Sequence, residues 1–329
     1  MDIFTAMSFH PFEQEVHKEG YAAVAGVDEA GRGPLAGPVV AAAVILNNDI
    51  PGGVNDSKAL SANQRETIFQ ALNQGDAVIG TGVVDQFEID RINILQATVR
   101  AMQQAVSALK SSPDYLLVDG KYLPKFDYPA RAIIHGDSRC KSIAAASVVA
   151  KVTRDQMLVD LDKFFPGYGF AQHKGYGTKQ HREAIERFGP TPLHRLSFGG
   201  VKEHTRDFLK QRKALGKWGE DYTCYRLWER GVQVLSRNYH AGAEAEIDIV
   251  ALHENTLRFI EVKTGTAKDF SGPEEWVDRR KERKIFEAAE HFLFRNDKYQ
   301  DLPSQFDLAA VEMKNGKTKV TYYEHAFTG

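Results

Sequence analysis

Two short runs of apolar and β-branched residues, Tyr21–Asp28 and Val39–Leu46, flank the stretch Glu29-Ala-Gly-Arg-Gly-Pro-Leu-Ala-Gly-Pro38. Three glycines and two prolines in ten residues continue neither a helix nor a ladder, so the stretch is a turn between two buried strands. Further along, Ser61 caps a helix to Leu72, Ala77–Val84 is a third strand and Asn93–Leu109 has helical periodicity. Tyr115–Val118 and Arg131–Ile134 are short buried strands, and Ser142–Phe164 is a long helix rich in Ala and Val. Several strands followed by the helices that cover them make a layered α/β unit.

At 329 residues the chain exceeds one hydrophobic core, so two domains are expected. Between Phe198 and Leu215 the character changes, with Gly199-Gly200 followed by charged residues and few large apolar ones. The division expected is a first domain over 1–202, a linker over 203–213 and a second domain over 214–329. The second reads as a smaller α/β unit: a helix over Trp218–Arg230, strands at Val232–Tyr239, Ile247–Leu252 and Leu257–Thr264, a charged helix over Trp276–Phe294, and strands at Asp307–Met313 and Lys317–Tyr323.

The composition, 43% hydrophobic and 26% charged, is that of an ordinary folded protein. Cys140 and Cys224 are far apart and lack the spacing of a zinc site or disulfide framework, which fits a reducing cytoplasm. Met1–Glu15 has no basic start followed by an apolar run, and no segment reaches the roughly 18 apolar residues of a membrane span, so neither secretion nor a membrane partner is expected. A net charge of −2 gives no global signal for nucleic acid. Binding would rest on local patches such as Arg279–Lys284 or Lys202–Lys217, each of which alone reads more readily as a solvated helix face or linker.

Buried charges need partners, so the informative acids are those at the ends of apolar strands. Asp28 and Glu29 close the first strand, Asp119 closes Tyr115–Val118, and Asp137 follows the strand ending at Ile134. Successive strand residues face opposite sides, so Asp28 and Glu29 share a site only if the backbone turns at Gly31. Converging carboxylates repel unless hard cations neutralise them, and all-oxygen ligands suit Mg²⁺ or Mn²⁺. That equipment serves two-metal phosphodiester hydrolysis.

The segment Val24-Ala-Gly-Val-Asp-Glu-Ala-Gly-Arg-Gly-Pro-Leu-Ala-Gly-Pro38 resembles the signature of ribonuclease HII. So do Asp56-Ser-Lys58, Leu117-Val-Asp-Gly120, Gly136-Asp137, the helix Ile143–Asp155, His173-Lys-Gly-Tyr-Gly-Thr178 and His194-Arg-Leu-Ser-Phe198, which cover residues 20 to 200 in order. The resemblance implies a ribonuclease H-like mixed sheet with flanking helices, and Asp28, Glu29, Asp119 and Asp137 as catalytic ligands of Mn²⁺ or Mg²⁺. It also implies that the turn Gly31-Arg32-Gly33 reads the ribonucleotide 2′-hydroxyl through its backbone, that Tyr176 stacks on the neighbouring deoxyribose, and that Lys58 and Arg195 touch phosphates. The partners implied are RNA/DNA hybrids and duplex DNA carrying a ribonucleotide, with no obligate protein partner; a junction-binding protein that does not cut is the alternative. A dinucleotide-binding loop is rejected, because Gly31-x-Gly33-x-x-x-Gly37 has one residue too many and leads into a strand, where that motif opens a helix.

The second domain has an acidic cluster of its own. Glu246-Ile-Asp248 starts one strand and Ile260-Glu-Val-Lys263 ends the next. Glu261 and Lys263 are two apart and share a face, beside Asp248 if the hairpin pairs. This resembles the Asp and Glu-x-Lys pattern of the restriction-endonuclease superfamily. Gly216-Lys-Trp-Gly-Glu220, Arg237-Asn-Tyr239, Ala245–Asp248 and Phe259–Lys263 are similar to the uncharacterised YraN-like family, which implies an endonuclease-like fold with Glu220 as an added acid. Ile247 replaces the superfamily's frequent Pro, and Ala245 the family's usual Gly; a DNA-binding module without metal is the alternative to a nuclease here.

Overall fold

A computed structural model describes residues 12–47, 60–265, 278–314 and 317–327. The chain forms two compact units, one of Met1–Lys163, Gly167–Ile185 and Leu193–Lys202, the other of Phe164–Pro166, Glu186–Pro192 and Glu203–Gly329. Among the described residues no helix is long and apolar enough to cross a membrane.

In chain order the elements up to residue 188 are α1 (Phe12–Lys18), β1 (Val24–Ala30), β2 (Val39–Ile45), α2 (Ala62–Gln74), β3 (Val78–Val84), α3 (Gln86–Ser107), β4 (Tyr115–Asp119), β5 (Ala130–Ile133), α4 (Lys141–Asp162), α5 (Phe170–His173) and α6 (Lys179–Phe188). The sheet order is β3-β2-β1-β4-β5. β2 is antiparallel to β1 and β3, while β4 and β5 continue parallel to β1, so the sheet is mixed as expected. Every residue of β2 is buried, because helices cover both faces. α3 packs Ala97, Ala101, Met102 and Ala105 on one face. On the other, α4 packs Ala144, Ala145, Val148 and Val149 beside Leu72 of α2.

The small residues of α4 let its backbone lie directly on β1. A Cβ at Gly26 would overlap the carbonyl carbon of Ser142. Cys140, the cap residue of α4, makes no side-chain cap bond. Its place is taken by Glu13 of α1, whose Oε1 accepts from Ser142 N–H at 2.9 Å and Ser142 Oγ at 3.0 Å, a negative charge at the positive end of the helix. α3 begins at Gln86 rather than at Asn93: Asp85 caps it, accepting from Glu88 N–H at 2.7 Å. Asn93, at φ +68°, breaks the helix and restarts it by accepting from Leu95 and Gln96 N–H.

The second unit contains α7 (Lys202–Phe208), α8 (Arg212–Glu229), β6 (Gln233–Ala241), β7 (Ala245–His253), β8 (Thr256–Gly265), α9 (Arg279–Arg295), β9 (Ser304–Lys314) and β10 (Lys317–Phe327). Its sheet runs β10-β9-β8-β7-β6, with β8 and β9 parallel and the other neighbours antiparallel. Ile285, Ala288, Ala289 and Phe292 of α9 close the core over Ile247, Phe259 and Leu308. α7 and the first two residues of α8 occupy most of the stretch expected as a linker.

The contact at Gly26 makes a direct prediction. Gly26→Ala forces α4 off the sheet and lowers stability by about 3 kcal/mol, read from the midpoint of urea unfolding.

Candidate active site

Asp28 and Glu29 lie near the C-terminal end of β1, and Asp119 closes the parallel neighbour β4. Val27 pairs with Val118, so Asp28 and Asp119 fall on the next rung together. The chain then turns at Gly31, whose φ of +99° suits a residue without a side chain. Asp28, Glu29 and Asp119 consequently line one cavity of about 310 Å³. Asp137 is buried in the single turn Gly136–Ser138, linked to Asp119 through the Gly136 N–H, which donates to Asp119 Oδ1 at 2.6 Å.

The three lining carboxylates strain one another electrostatically. Asp28 is 5% exposed. Its burial, then the charges of Glu29 and Asp119, hold its carboxyl well above the usual carboxylate range. Burial also raises Glu29, against the pull of Arg32, whose Nη1 is 3.4 Å from Glu29 Oε1. Each acid has turned to a local donor: Asp28 to Glu29 N–H at 2.7 Å and to Ser147, Asp119 to Gly136, Glu29 to Arg32. Among the described residues no three His, Cys, Asp or Glu side chains converge closely enough to hold one ion. Carboxylate oxygens whose proton affinity is raised by burial and by one another nevertheless fit a hard divalent cation.

Tyr176 reaches the same cavity from the segment after α5 and is 44% exposed. Its position is fixed from behind. Leu35 N–H donates to Gly175 O at 2.8 Å, stapling this segment to the glycine-rich turn. His181 Nδ1 donates to Tyr176 O at 2.9 Å, which leaves Nε2 to accept from His194 Nε2 at 3.0 Å. Burial pushes His181 down to about 4, so the ring is neutral, as this arrangement requires. The cavity is completed by Arg65, Ser147 and Lys151, to which sequence reading assigned no role. Ser147 and Lys151, one turn apart on α4, lie within the helix motif already singled out. Arg65 on α2 carried no such signal.

Arg195 requires a correction. Expected at a phosphate, it is fully buried. Its guanidinium donates to the carbonyls of Gly31, Arg32, Pro34, Gly37 and Pro38, at 2.6 to 3.1 Å. No donor remains for a ligand, because a guanidinium has five N–H groups and all five are engaged. Lys58 lies outside the described residues.

In the second unit the β7–β8 register pairs Ile249 with Ile260, placing Asp248 across from Glu261 on the next rung. Asp248 Oδ2 accepts from Val262 N–H at 2.7 Å. Glu261, 2% exposed, is held between Lys263 Nζ at 2.6 Å from Oε1 and Lys281 Nζ at 3.1 Å from Oε2. Burial, then Glu261, pushes Asp248 up to about 8. Burial raises Glu220 on α8 as well, and its charge is felt by Asp248. Asp248, Glu261 and Lys263 therefore lie together, with Glu220 near enough for its charge to act on Asp248. Lys281 was hidden in the run Arg279–Lys284, read as a basic patch; burial opposes its charge, but Glu261 and Asp248 outweigh that and raise its pKa.

Two families of known proteins match separate stretches of the chain. A sequence profile described as Ribonuclease HII matches residues 25–201, and one described as Uncharacterised protein family UPF0102 matches residues 219–311. The ribonuclease HII of Geobacter metallireducens is 57% identical over 199 residues, covering 60% of this chain and 93% of that protein. That of Geobacter sulfurreducens is 53% identical over 195 residues, covering 59% and 89%. The crystal structure of ribonuclease H2 from Pyrococcus horikoshii OT3 has a TM-score of 0.48 at 27% identity, covering 58% of this chain and 100% of that one.

The pKa of Asp248 predicts how the second unit responds to pH. A carboxyl raised in the folded state stabilises fully below its unfolded value of 3.8, and that contribution is lost as pH rises to about 8. Thermal unfolding of the second unit, followed without added metal, falls across this window, and Asp248→Asn flattens the fall. An equally steep fall in the variant would assign the pH dependence elsewhere.

Proposed function

The chain belongs to the ribonuclease HII family through residues 25–201, and on that premise we propose that it hydrolyses the phosphodiester on the 5′ side of a ribonucleotide within duplex DNA, leaving 3′-hydroxyl and 5′-phosphate ends. It is an endoribonuclease of RNA/DNA hybrids. The observation that carries the finer reading is one cavity holding Asp28, Glu29 and Asp119 beside the turn Gly31-Arg32-Gly33. Asp28, Glu29, Asp119 and Asp137 would hold the cation, Mg²⁺ or Mn²⁺. Bound there, it supplies Lewis-acid stabilisation of the scissile phosphate.

The protein's own groups do the rest. The N–H groups of Arg32 and Gly33 donate to nothing among the described residues, so they are available to a sugar hydroxyl, the group that separates RNA from DNA. Gly33 supports this. A Cβ there would meet nothing within 4 Å, so no packing inside the described residues requires a glycine. Close approach of a ligand's backbone does. Tyr176 offers its half-exposed ring to the adjoining deoxyribose. Lys151, with Nζ 5.6 Å from that ring's centre, places a cation where a phosphate follows.

For the second unit we infer a separate cation-dependent phosphodiesterase site at Glu220, Asp248, Glu261 and Lys263, supported by the pairing of Asp248 and Glu261 with a lysine 2.6 Å away. In this reading the ribonuclease occupies 1–202 and the second nuclease 214–329, joined through 203–213, and the tether raises the concentration of one activity near the other's product.

One experiment separates the two sites. Cleavage of a labelled DNA duplex carrying a single ribonucleotide falls on the order of a thousandfold in Asp28→Asn and is unchanged in Glu261→Ala, whereas nicking of all-deoxy DNA responds in the opposite way. Full cleavage by Asp28→Asn would sink the assignment of the first site. A subtler signature comes from Gly33→Ala. Stability holds or rises by up to about 1 kcal/mol as the unfolded chain loses freedom. At the same time kcat/KM on the ribonucleotide substrate drops by about tenfold or more, because the methyl group occupies the approach to the amides.

A further inference from the structure

Arg154 and Arg195 are both fully buried, and both give their hydrogen bonds to carbonyl oxygens. Arg154 donates to Pro38 O at 2.9 Å, Ala36 O at 3.0 Å and Lys174 O at 2.9 Å. Arg195 donates to the five carbonyls already described, and its own N–H reaches Leu35 O at 2.9 Å. Between Gly31 and Pro38, every carbonyl except that of Gly33 is thus bonded to one of these two residues. A Cβ at Gly31 would overlap Arg154 Nε, so the glycine is what lets the guanidinium pass beneath the turn.

The polarity of the turn follows. Seven of its eight carbonyls are taken up by Arg154 and Arg195, while the N–H groups of Arg32 and Gly33, two residues that line the cavity, have no acceptor among the described residues. A peptide loop normally offers donors and acceptors together. This one keeps a single carbonyl, that of Gly33, outside the two arginines and is otherwise rich in donors, next to two positive charges in a medium of low dielectric, where such donors bind an oxygen acceptor more strongly. The segment of Arg195 is itself anchored: Asp90 of α3 accepts from Leu196 N–H at 2.8 Å and Ser197 N–H at 3.0 Å, and the Phe198 ring lies 5.0 Å from the guanidinium carbon.

We propose that Arg154 and Arg195 are positioning residues for ribonucleotide preference, acting through the 31–38 turn, which they hold as a surface of hydrogen-bond donors facing the sugar. The proposal rests on the reading of that turn given above.

The test uses the full chain with Mg²⁺, a duplex carrying one ribonucleotide as substrate and the all-deoxy duplex of the same sequence as competing inhibitor, with initial rates read before any of the all-deoxy duplex is nicked. The ratio of the inhibitor's Ki to the substrate's KM measures the preference. Arg154→Lys and Arg195→Lys keep a positive charge but lose the planar fork that bridges several carbonyls. Each lowers the ratio by about tenfold or more through KM while Ki stays constant, the loss of one or two well-made hydrogen bonds. A structural role alone lowers the active fraction and leaves the ratio intact, and that result overturns the proposal. If the lysine variants do not fold, the same ratio is read on Gly37→Ala, whose methyl crowds Leu158 at 3.0 Å and Arg154 Nη2 at 3.4 Å with both guanidiniums retained. There too a lowered ratio supports the proposal and an unchanged one overturns it. A ratio near one in the unmodified protein would instead remove the ribonucleotide reading on which the proposal stands.

Discussion

Repulsion among acids that the sheet forces together is the constraint around which both units are built. In the first, parallel pairing of β1 with β4 sets Asp28 beside Asp119, and chain continuity adds Glu29. Strand pairing leaves these groups no freedom to separate, so the surroundings must manage the charge. Ser147, the Gly136 amide and Arg32 each take one carboxylate, and the excess stays as raised proton affinity. The second unit meets the same problem with a different remedy. Asp248 and Glu261 face each other across β7 and β8, but Lys263 and Lys281 close on Glu261 from two sides. The first site meets its repulsion mainly with hydrogen bonds and a single arginine at the rim, while the second sets two lysines directly on one acid.

That difference bears on how legible the two sites were. Asp28, Glu29 and Asp119 stand at the ends of apolar runs, and a charge at the end of a buried strand is a local pattern that sequence displays. The hairpin spacing of Asp248, Glu261 and Lys263 is equally local. Lys281 is not, because its role depends on the packing of α9 against β7 and β8, and within Arg279–Lys284 it resembles its solvated neighbours. The start of α3 was open to discovery, since Asp85 and Glu88 have the spacing of a cap, but the stronger helical periodicity after Asn93 drew the boundary to the break inside the helix.

Arg195 shows the limit of such reading most clearly. An arginine in a polar stretch is ordinarily at the surface, and nothing around it in sequence indicates five carbonyls some 160 residues earlier. Burying a guanidinium with no carboxylate bonded to it carries a large desolvation cost, offset here by the many oxygens that the glycine-rich turn presents and by the nearby charge of Asp90. Turn and arginine thus make sense together and neither does alone. The glycines of that turn divide accordingly: Gly31 admits Arg154, whereas Gly33 faces open space.

The same long reach has a consequence for how the protein comes into being. On a ribosome the 31–38 turn emerges well before the residues that satisfy it, Arg154 and then Arg195, have been made. Until then its carbonyls bond to water and its shape is undefined, however complete the strands around it. Contacts so distant along the chain also slow folding, since a long loop must close before they form. A ribonuclease unit cut short before Arg195 therefore lacks most of the donors that fix the 31–38 turn, whatever the state of its strands.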